Sequence, residues 1–253
     1  MLGSLMLAVS GFQSGARTAV ASPASLTVFA ASDLAPPFKQ IVPAYERASG
    51  NTVTLVVGST GGLTHQIRNG ASADVFFAAH ETYVQQLVSA GLTIPQTQTV
   101  YARGRIATVT LKSSVTPVNE LNDLTRRGIT RIAIANPSHA PYGVAAREAL
   151  EAAGLWKTLQ PKLVYAENVQ QAAQFVRSGS VQAGIVARSV ADTPDLAWRL
   201  VEQRLYEPLN QVAVVLVRTR QTAAATALIG FVSSRQGQTV MEQFGFLPPG
   251  ESF

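Results

Sequence analysis

Residues 26–50, LTVFAASDLAPPFKQIVPAYERASG, contain the pattern that decides the fold. Leu26 to Ala31 form a short apolar run that is typical of a buried strand. A polar turn with two prolines follows at 32–37, and apolar residues then recur at helical spacing up to Gly50: Phe38, Ile41, Val42 and Tyr45. This order predicts a strand, a turn and an amphipathic helix.

The same unit repeats along the rest of the chain. Further strands are predicted at 53–57, 74–79, 105–111, 131–135, 162–165, 183–187 and 211–217. Helices are predicted between them and at the end, at 63–70, 81–90, 141–154, 168–177, 223–233 and 236–243. Strands that alternate with helices in this way predict an α/β fold with mostly parallel sheets.

The composition narrows the class of protein further. The chain has 253 residues, of which 47% are hydrophobic and 14% charged, and it contains no cysteine. This excludes a disordered or disulfide-stapled chain, and the length suits one large domain or two smaller lobes. The formal net charge is +5, but the basic residues are scattered and only Arg126 and Arg127 are adjacent. No nucleic-acid partner is therefore expected.

The first 21 residues have the features of an export signal. Residues 1–12 are mostly apolar, and Ala19-Val20-Ala21 is a sequence that a signal peptidase accepts. No Lys or Arg precedes the apolar run, so the signal is atypical. We predict that residues 1–21 are a signal peptide, the alternative being a weakly packed N-terminal helix. No later run approaches the roughly 18 apolar residues of a membrane span.

Small polar residues or exposed amides stand at four of the strand-to-helix turns: 32–33, 59–60, 140–143 and 167–169. The first N–H groups of a helix lack partners within it and carry a partial positive charge. Because the carboxyl ends of parallel strands open on one cleft, several such turns can form an anion site there. The alternative is that these residues only cap their helices.

Motifs for catalysis and for metal binding are sparse. Residues 58–62, GSTGG, lack the Gly-Lys-Ser/Thr ending of a phosphate-binding loop, and no Gly-x-Ser-x-Gly elbow occurs. The histidines lie far apart and are interpreted as surface or cap-region residues: His65, His80 and His139. We therefore predict no catalytic residue, no direct cation site and no cofactor. A catalytic Ser32 or Ser59 would need a base brought near it by folding.

Seven short motifs occur in an order that is familiar from one family. They are FAAS at 29–32, GSTG at 58–61, NGASADVFFAA at 69–79, NPSHAPYG at 136–143, ENV at 167–169, AGIV at 183–186 and FGFLPP at 244–249. Together they resemble the periplasmic molybdate-binding proteins of ABC importers. The resemblance covers the chain from about Leu26 onward, and it is more specific for oxyanion binding than for one particular ion.

The resemblance implies a two-lobed, type-II periplasmic binding protein whose chain crosses between the lobes twice and closes on its ligand by a hinge. It predicts lobe one at 26–106 and 212–253, and lobe two at 107–211. It also implies a periplasmic, monomeric protein without enzymatic activity that captures molybdate or tungstate and delivers it to an ABC permease in the membrane. The alternatives are another small anion, such as phosphate, sulfate or an organic acid, and a serine-dependent α/β hydrolase.

The resemblance further implies that uncharged groups bind the oxyanion. Ser32 and Ser59 would donate hydroxyl and amide groups from lobe one, together with the backbone N–H of Asp33. Tyr142 and Val169 would close from lobe two through backbone N–H groups. Hydrogen bonds to an anion are stronger than neutral ones, and the lack of a fixed countercharge would ease release to the permease.

Two positions depart from the family pattern. Ala187 stands where many members carry a ligand-binding tyrosine, and Tyr142 stands where many have a small residue, so the ring or hydroxyl of Tyr142 could fill the vacated space. Asp33 would repel a dianion unless one of them is protonated. A protonated phosphate could use this acceptor, but the favoured interpretation is that Asp33 points outward and caps its helix.

Overall fold

The computed structural model describes residues 23–250, which form two five-stranded sheets flanked by helices. The strands of the first sheet are β1 (Ser25–Ala31), β2 (Thr52–Gly58), β3 (Val75–Ala78), β4 (Thr93–Gly104) and β10 (Leu209–Leu216). Those of the second sheet are β5 (Ile106–Leu111), β6 (Ile132–Ala135), β7 (Leu163–Ala166), β8 (Ala183–Ala187) and β9 (Leu196–Leu200). The predicted two-lobed α/β fold is confirmed, with one sheet in each lobe.

The two sheets have the same topology. The order is β2-β1-β3-β10-β4 in the first and β7-β6-β8-β5-β9 in the second. In each sheet four strands run in one direction, and the strand in the fourth place, β10 or β5, is antiparallel to both neighbours. The prediction of mostly parallel sheets is therefore confirmed. In both sheets the reversed strand is the first one after the chain crosses from the other sheet.

The chain changes sheet at two places. The first crossing is at Arg105, between β4 and β5, and the second lies between Leu200 at the end of β9 and Leu209 at the start of β10. The predicted lobe boundaries lie within a few residues of these crossings. The assignment of 26–106 with 212–253 to lobe one, and of 107–211 to lobe two, stays a prediction.

Helices connect the strands and cover the sheets. Their bounds are α1 (Ala35–Ser49), α2 (Thr60–Arg68), α3 (Glu81–Ser89), α4 (Pro141–Ala152), α5 (Trp156–Leu159), α6 (Val169–Arg177), α7 (Arg188–Ala191), α8 (Thr222–Ser233) and α9 (Arg235–Gln243). A 3-10 turn, Ser32–Leu34, precedes α1. The strands β4 and β9 are missing from the sequence prediction, because β4 is largely polar and both strands are only partly buried.

The core of lobe one contains an aromatic chain that supports the interlobe surface. The ring of Phe77 in β3 packs edge-on against Phe38 of α1 and Tyr101 of β4, with centroid distances of 5.1 and 5.4 Å. All three rings are buried. Edge-to-face packing of this kind fixes ring orientation as well as burying apolar area. The hydroxyl of Tyr101 is therefore held in one place at the inner end of β4.

The predicted signal peptide, residues 1–21, lies outside the described residues, and its assignment stays a prediction. Within residues 23–250, no helix is both long enough and apolar enough to cross a membrane.

Candidate functional site

The four turns singled out in the sequence meet around one small cavity between the lobes. The cavity is small, with a volume of about 10 Å³. All five residues predicted to bind an oxyanion line it: Ser32, Asp33, Ser59, Tyr142 and Val169. Thr60, Ala79, Ala140 and Asn168 also contribute to its wall. The fold therefore brings together residues that lie up to 137 positions apart, and their role in binding stays a prediction.

These residues lie in the connections that follow strands of the parallel part of each sheet. Ser32 and Ser59 stand directly after β1 and β2, and Tyr142 and Val169 lie in the first turns of α4 and α6, which follow β6 and β7. The carboxyl ends of the strands in each sheet thus face the cavity, together with the first N–H groups of the helices. Helix N-termini arranged in this way favour a negatively charged ligand.

The alternative that these polar residues only cap helices is right at one position and wrong at two. Asn168 is a true cap, since its Oδ1 accepts from the N–H groups of Gln170 and Gln171. Ser59 has the cap position of α2, but its hydroxyl makes no capping bond. Asp33 lies within the 3-10 turn and does not cap it either. The side chains of Ser59 and Asp33 are directed to other partners.

Asp33 does not point outward, and the favoured interpretation of this residue is wrong. Its side chain is buried, and its Oδ2 accepts a hydrogen bond of 2.9 Å from the hydroxyl of Tyr142, in the other lobe. Its Oδ1 is buried and has no hydrogen-bond partner among the described residues. Burial raises the pKa of Asp33 to about 7, although the hydrogen bond from Tyr142, the backbone N–H of Asp33 itself and the nearby Gln211 amide act to lower it.

Asp33 ends a chain of hydrogen bonds that we call the buried network, made of Tyr101, Gln211, Tyr142 and Asp33. The Tyr101 hydroxyl donates to Oε1 of Gln211 over 3.3 Å, and Nε2 of Gln211 donates to the Tyr142 hydroxyl over 3.2 Å. Burial and the nearby Asp33 charge raise the pKa of both tyrosines well above the usual range. Both hydroxyls therefore keep their protons and remain donors.

Gly104 leaves the space that the buried network needs. A Cβ at this position would collide with the Tyr142 hydroxyl and lie 2.9 Å from Nε2 of Gln211. Gly104 is the last residue of β4, immediately before the first crossing between the sheets. The buried network therefore lies against the hinge side of the cavity.

A second set of polar contacts joins the lobes on the other side, and we call it the rim cluster: Ser59, His139 and Glu167. His139 Nδ1 lies 3.0 Å from the Ser59 hydroxyl, which also donates to Oε1 of Glu167 over 3.2 Å. Beside it the N–H of Gly61 donates to the carbonyl of His139 over 2.8 Å. The side chains of His139 and Glu167 are 26% and 63% exposed, so this cluster is in contact with solvent.

The rim cluster supplies the base that a catalytic Ser59 would need, but not in the arrangement of a triad. In a triad the carboxylate orients the imidazole through the nitrogen remote from the serine. Here the Glu167 carboxylate is 3.6 Å from His139 Nε2, which is too far for a good hydrogen bond. Instead the carboxylate accepts a hydrogen bond from the Ser59 hydroxyl. The serine hydroxyl is thus engaged by the acid and not activated by the base.

Several residues of this site are not predicted from the sequence. His139 is predicted to be a surface or cap-region residue, whereas it contacts Ser59 across the lobes. The cap interpretation is confirmed for His80, which accepts from the N–H of Thr82 at the start of α3. Gln211 and Tyr101 have no motif that would mark them, because an alternating strand pattern conceals which buried side chains are polar partners.

Ala187, the other departure from the family pattern, is buried at the end of β8. Tyr142 lines the cavity and directs its hydroxyl to Asp33. The hypothesis that Tyr142 replaces a lost ligand bond stays a prediction.

The groups available in the cavity wall suit the oxygen atoms of an anion better than a cation. Serine hydroxyls and backbone N–H groups are donors, and three separate helix N-termini contribute them. Within residues 23–250, no group of three or more His, Cys, Asp or Glu side chains could hold a metal ion.

Known proteins share both the sequence and the fold. The molybdate-binding protein ModA of Azotobacter vinelandii is 32% identical over 96% of this chain and 98% of its own length. That of Rhodobacter capsulatus is 31% identical over 86% of each chain. The solved structure of the Azotobacter vinelandii periplasmic molybdate-binding protein superposes with a TM-score of 0.83 at 29% identity, covering 88% of this chain and 99% of that one.

A more distant structure shares the fold alone. The sulfate-binding protein SubI of Mycobacterium tuberculosis has a TM-score of 0.77 at 17% identity, and the match covers 90% of this chain and 88% of that one. At the level of the family, residues 26–247 match the bacterial extracellular solute-binding proteins. The chain therefore belongs to the family of bacterial extracellular solute-binding proteins, and it is a solute-binding protein and not an enzyme.

Proposed function

We propose that this protein is the substrate-binding component of an ABC importer and that it captures molybdate or tungstate in the interlobe cavity. The observation that carries the proposal is the convergence of Ser32, Ser59, Tyr142 and Val169, from four turns and both lobes, on one small cavity. The similarity to proteins named as molybdate-binding supports the choice of ion.

The chemistry of the cavity suits a tetrahedral dianion. Ser32 offers its hydroxyl from lobe one, as does Ser59 once that hydroxyl leaves Glu167, and the N–H groups at the starts of α4 and α6 close from lobe two. The anion oxygens accept these bonds, so no residue needs to coordinate the metal atom itself. Charge-assisted hydrogen bonds of this type are about twice as strong as neutral ones. Discrimination from sulfate, which has the same charge, would then rest on cavity size.

The remaining parts of the proposal follow from this role. An exported protein that works in the periplasm would deliver the bound anion to a permease in the inner membrane. We propose that it acts as a monomer, because a hinged two-lobed protein forms a complete cavity from one chain. The proposal includes neither a nucleic-acid partner nor a cofactor.

Thermal unfolding of protein stripped of anions tests the proposal directly. The protein is heated alone and with excess molybdate, tungstate, sulfate, phosphate or vanadate. A ligand at 1,000 times its Kd adds roughly 4 kcal/mol to the free energy of unfolding, which raises the Tm by about 8 to 16 °C at this chain length. We expect this rise with molybdate and tungstate. A rise with phosphate or sulfate only would overturn the choice of ion.

Two single substitutions test the residues. Ser32→Ala and Ser59→Ala each remove one hydroxyl bond to an anion, worth about 1.5 to 3 kcal/mol, so the Kd should rise about 10- to 150-fold. Ser178→Ala is the matched control, because its exposed hydroxyl bonds only near its own helix end. Unchanged affinity in both cavity variants, measured by calorimetry, would contradict the assignment of these hydroxyls.

A further inference from the structure

If neutral donors bind the dianion, the carboxyl group of Asp33 in the cavity wall has no role. Asp33 lines the cavity, is 1% exposed, and its Oδ1 has no partner among the described residues. A buried carboxyl oxygen without a partner is costly, since it has lost its water and gained no bond. An ionised carboxylate there would also repel the dianion that the proposed function requires.

The direction of the buried network assigns a different task to each oxygen of Asp33. Gln211 donates its N–H to the Tyr142 oxygen, so the Tyr142 proton is directed to Asp33. Tyr101 fixes the orientation of the Gln211 amide by donating to Oε1. Oδ2 of Asp33 is consequently an acceptor, and Oδ1 is the position at which a proton can reside.

Burial, and not a neighbouring charge, favours the protonated form of Asp33. Tyr142 on α4 and Tyr101 on β4 are the titratable groups that interact with its side chain, and both stay neutral. The hydroxyl of Ser189 on α7 donates to the backbone carbonyl of Asp33 and not to the Asp33 carboxyl group. The ionisable groups on the other side of the cavity, His139 and Glu167, are engaged with Ser59. Burial accordingly dominates and holds the pKa of Asp33 near 7.

We propose that Asp33 couples anion binding to proton uptake: in the complex its Oδ1 carries a proton and donates a hydrogen bond to an oxygen of the dianion. The inference rests on the proposed function, since it needs a dianion in the cavity. No covalent bond changes, and the proton comes from solvent. Asp33 is then a specificity-determining residue, because the protonation of its side chain makes the affinity depend on the charge of the ligand as well as on its shape.

This coupling has a defined pH dependence. Below a pH of about 7 the carboxyl is already protonated before binding, so affinity for the dianion does not change with pH. Above that value each binding event takes up a proton, and the Kd should rise up to tenfold for each pH unit. A simple set of neutral donors predicts no such change while the anion remains a dianion.

Isothermal titration calorimetry with molybdate tests the inference in the full-length protein. Titrations at pH 8 in two buffers with different ionisation enthalpies give the number of protons taken up. We expect close to one for the wild type at pH 8 and close to zero at pH 6. Asp33→Asn keeps an acceptor for Tyr142 and a donor for the anion, so it should take up no proton and bind about tenfold more tightly than the wild type at pH 8.

Asp195→Asn is the matched control, because Asp195 is an exposed carboxylate paired with Arg177. It should keep the proton uptake of the wild type. Molybdate binding without proton uptake at pH 8 would overturn the inference and leave the proposed function intact. Weaker binding by Asp33→Asn at pH 8, with normal uptake in the wild type, would show Asp33 to be an acceptor and would also overturn it. Absence of binding by the wild type would overturn both.

Discussion

The buried network and the rim cluster join the same two lobes, and they differ chiefly in their contact with water. In the network, Asp33 and Tyr142 meet inside the protein, with both side chains almost fully buried. In the rim cluster, Glu167 and His139 meet Ser59 with the acid 63% exposed. Both sets contain a carboxylate and hydrogen bonds of similar length, so the comparison isolates the effect of burial.

Burial decides how strongly each contact depends on charge. A solvated ion pair contributes little, because water compensates either partner when the other is removed. A buried carboxyl has no such compensation, and its charge state changes the free energy of unfolding directly. Substitutions on the hinge side of the cavity should therefore have larger effects than matched ones at the rim.

The largest expected effect is a pH-dependent change at Asp33. Its pKa is about 7 in the folded protein and 3.8 in the unfolded chain, so the folded state binds more protons between these values. Stability is therefore lost as pH rises, by about 3 kcal/mol between pH 5 and pH 8. Asp33→Asn should remove this loss, measured by chemical denaturation without ligand. Parallel pH profiles for the two proteins would contradict the burial argument.

The next effect in size is expected for Gly104→Ala. The new methyl group would displace the Tyr142 hydroxyl and crowd Gln211, inside a packed region, at a cost of about 2 kcal/mol. Gly230→Ala is the matched control, because nothing lies within 4 Å of its Cβ position on the exposed face of α8. That change should raise stability by up to about 1 kcal/mol. Equal effects of the two substitutions on stability would show that the buried network can accommodate the additional methyl group.

A smaller effect is expected for Gly61→Ala beside the rim cluster. A Cβ here would lie 2.5 Å from the carbonyl oxygen of His139, in the other lobe. The partly exposed turn can move away, so the cost in stability should be about 1 kcal/mol. Because this movement separates the lobes, we expect anion affinity to fall more than stability. Calorimetry and thermal unfolding on the same variant distinguish the two effects.

The smallest effect is expected for Glu167→Gln. The amide keeps a hydrogen-bond acceptor for Ser59 and removes only a solvated charge, so stability should change by about 0.5 kcal/mol or less. Measurement at low and at high salt should give the same small value. A loss as large as that of Gly104→Ala would mean that the rim cluster, and not the buried network, holds the lobes together.

The fold is predictable from the sequence where local patterns agree with tertiary position. The apolar strand of residues 26–31 and the proline-marked start of α1 are examples, and eight of the ten strands are predicted close to their observed bounds. The strand β4 is missed because its polar residues face solvent, and only pairing with β10 makes it a strand. Its formation depends on a partner that lies more than 100 residues away.

The sequence predicts which residues line the candidate site, but it does not predict the hydrogen bonds between them. Helix starts mark all four turns in the sequence, and the resemblance adds the ligand-binding role of each residue: Ser32, Ser59, Tyr142 and Val169. The orientation of Asp33 is not predictable, because a capping role is the usual one for aspartate at a helix start and only the fold brings Tyr142 to it. The partners Gln211 and Tyr101 are hidden for the same reason.

The exchange of strands between the sheets has a consequence for the order of assembly. The second sheet is made from one continuous stretch, 106–200, and can form as soon as that stretch is available. In the first sheet β10 lies between β3 and β4, so that Val212 pairs with Ala78. Such long-range pairing is slow. Lobe one is thus completed only after β10 has been made, whereas lobe two needs only residues 106–200, so the two lobes differ in the length of chain that each requires before it can fold.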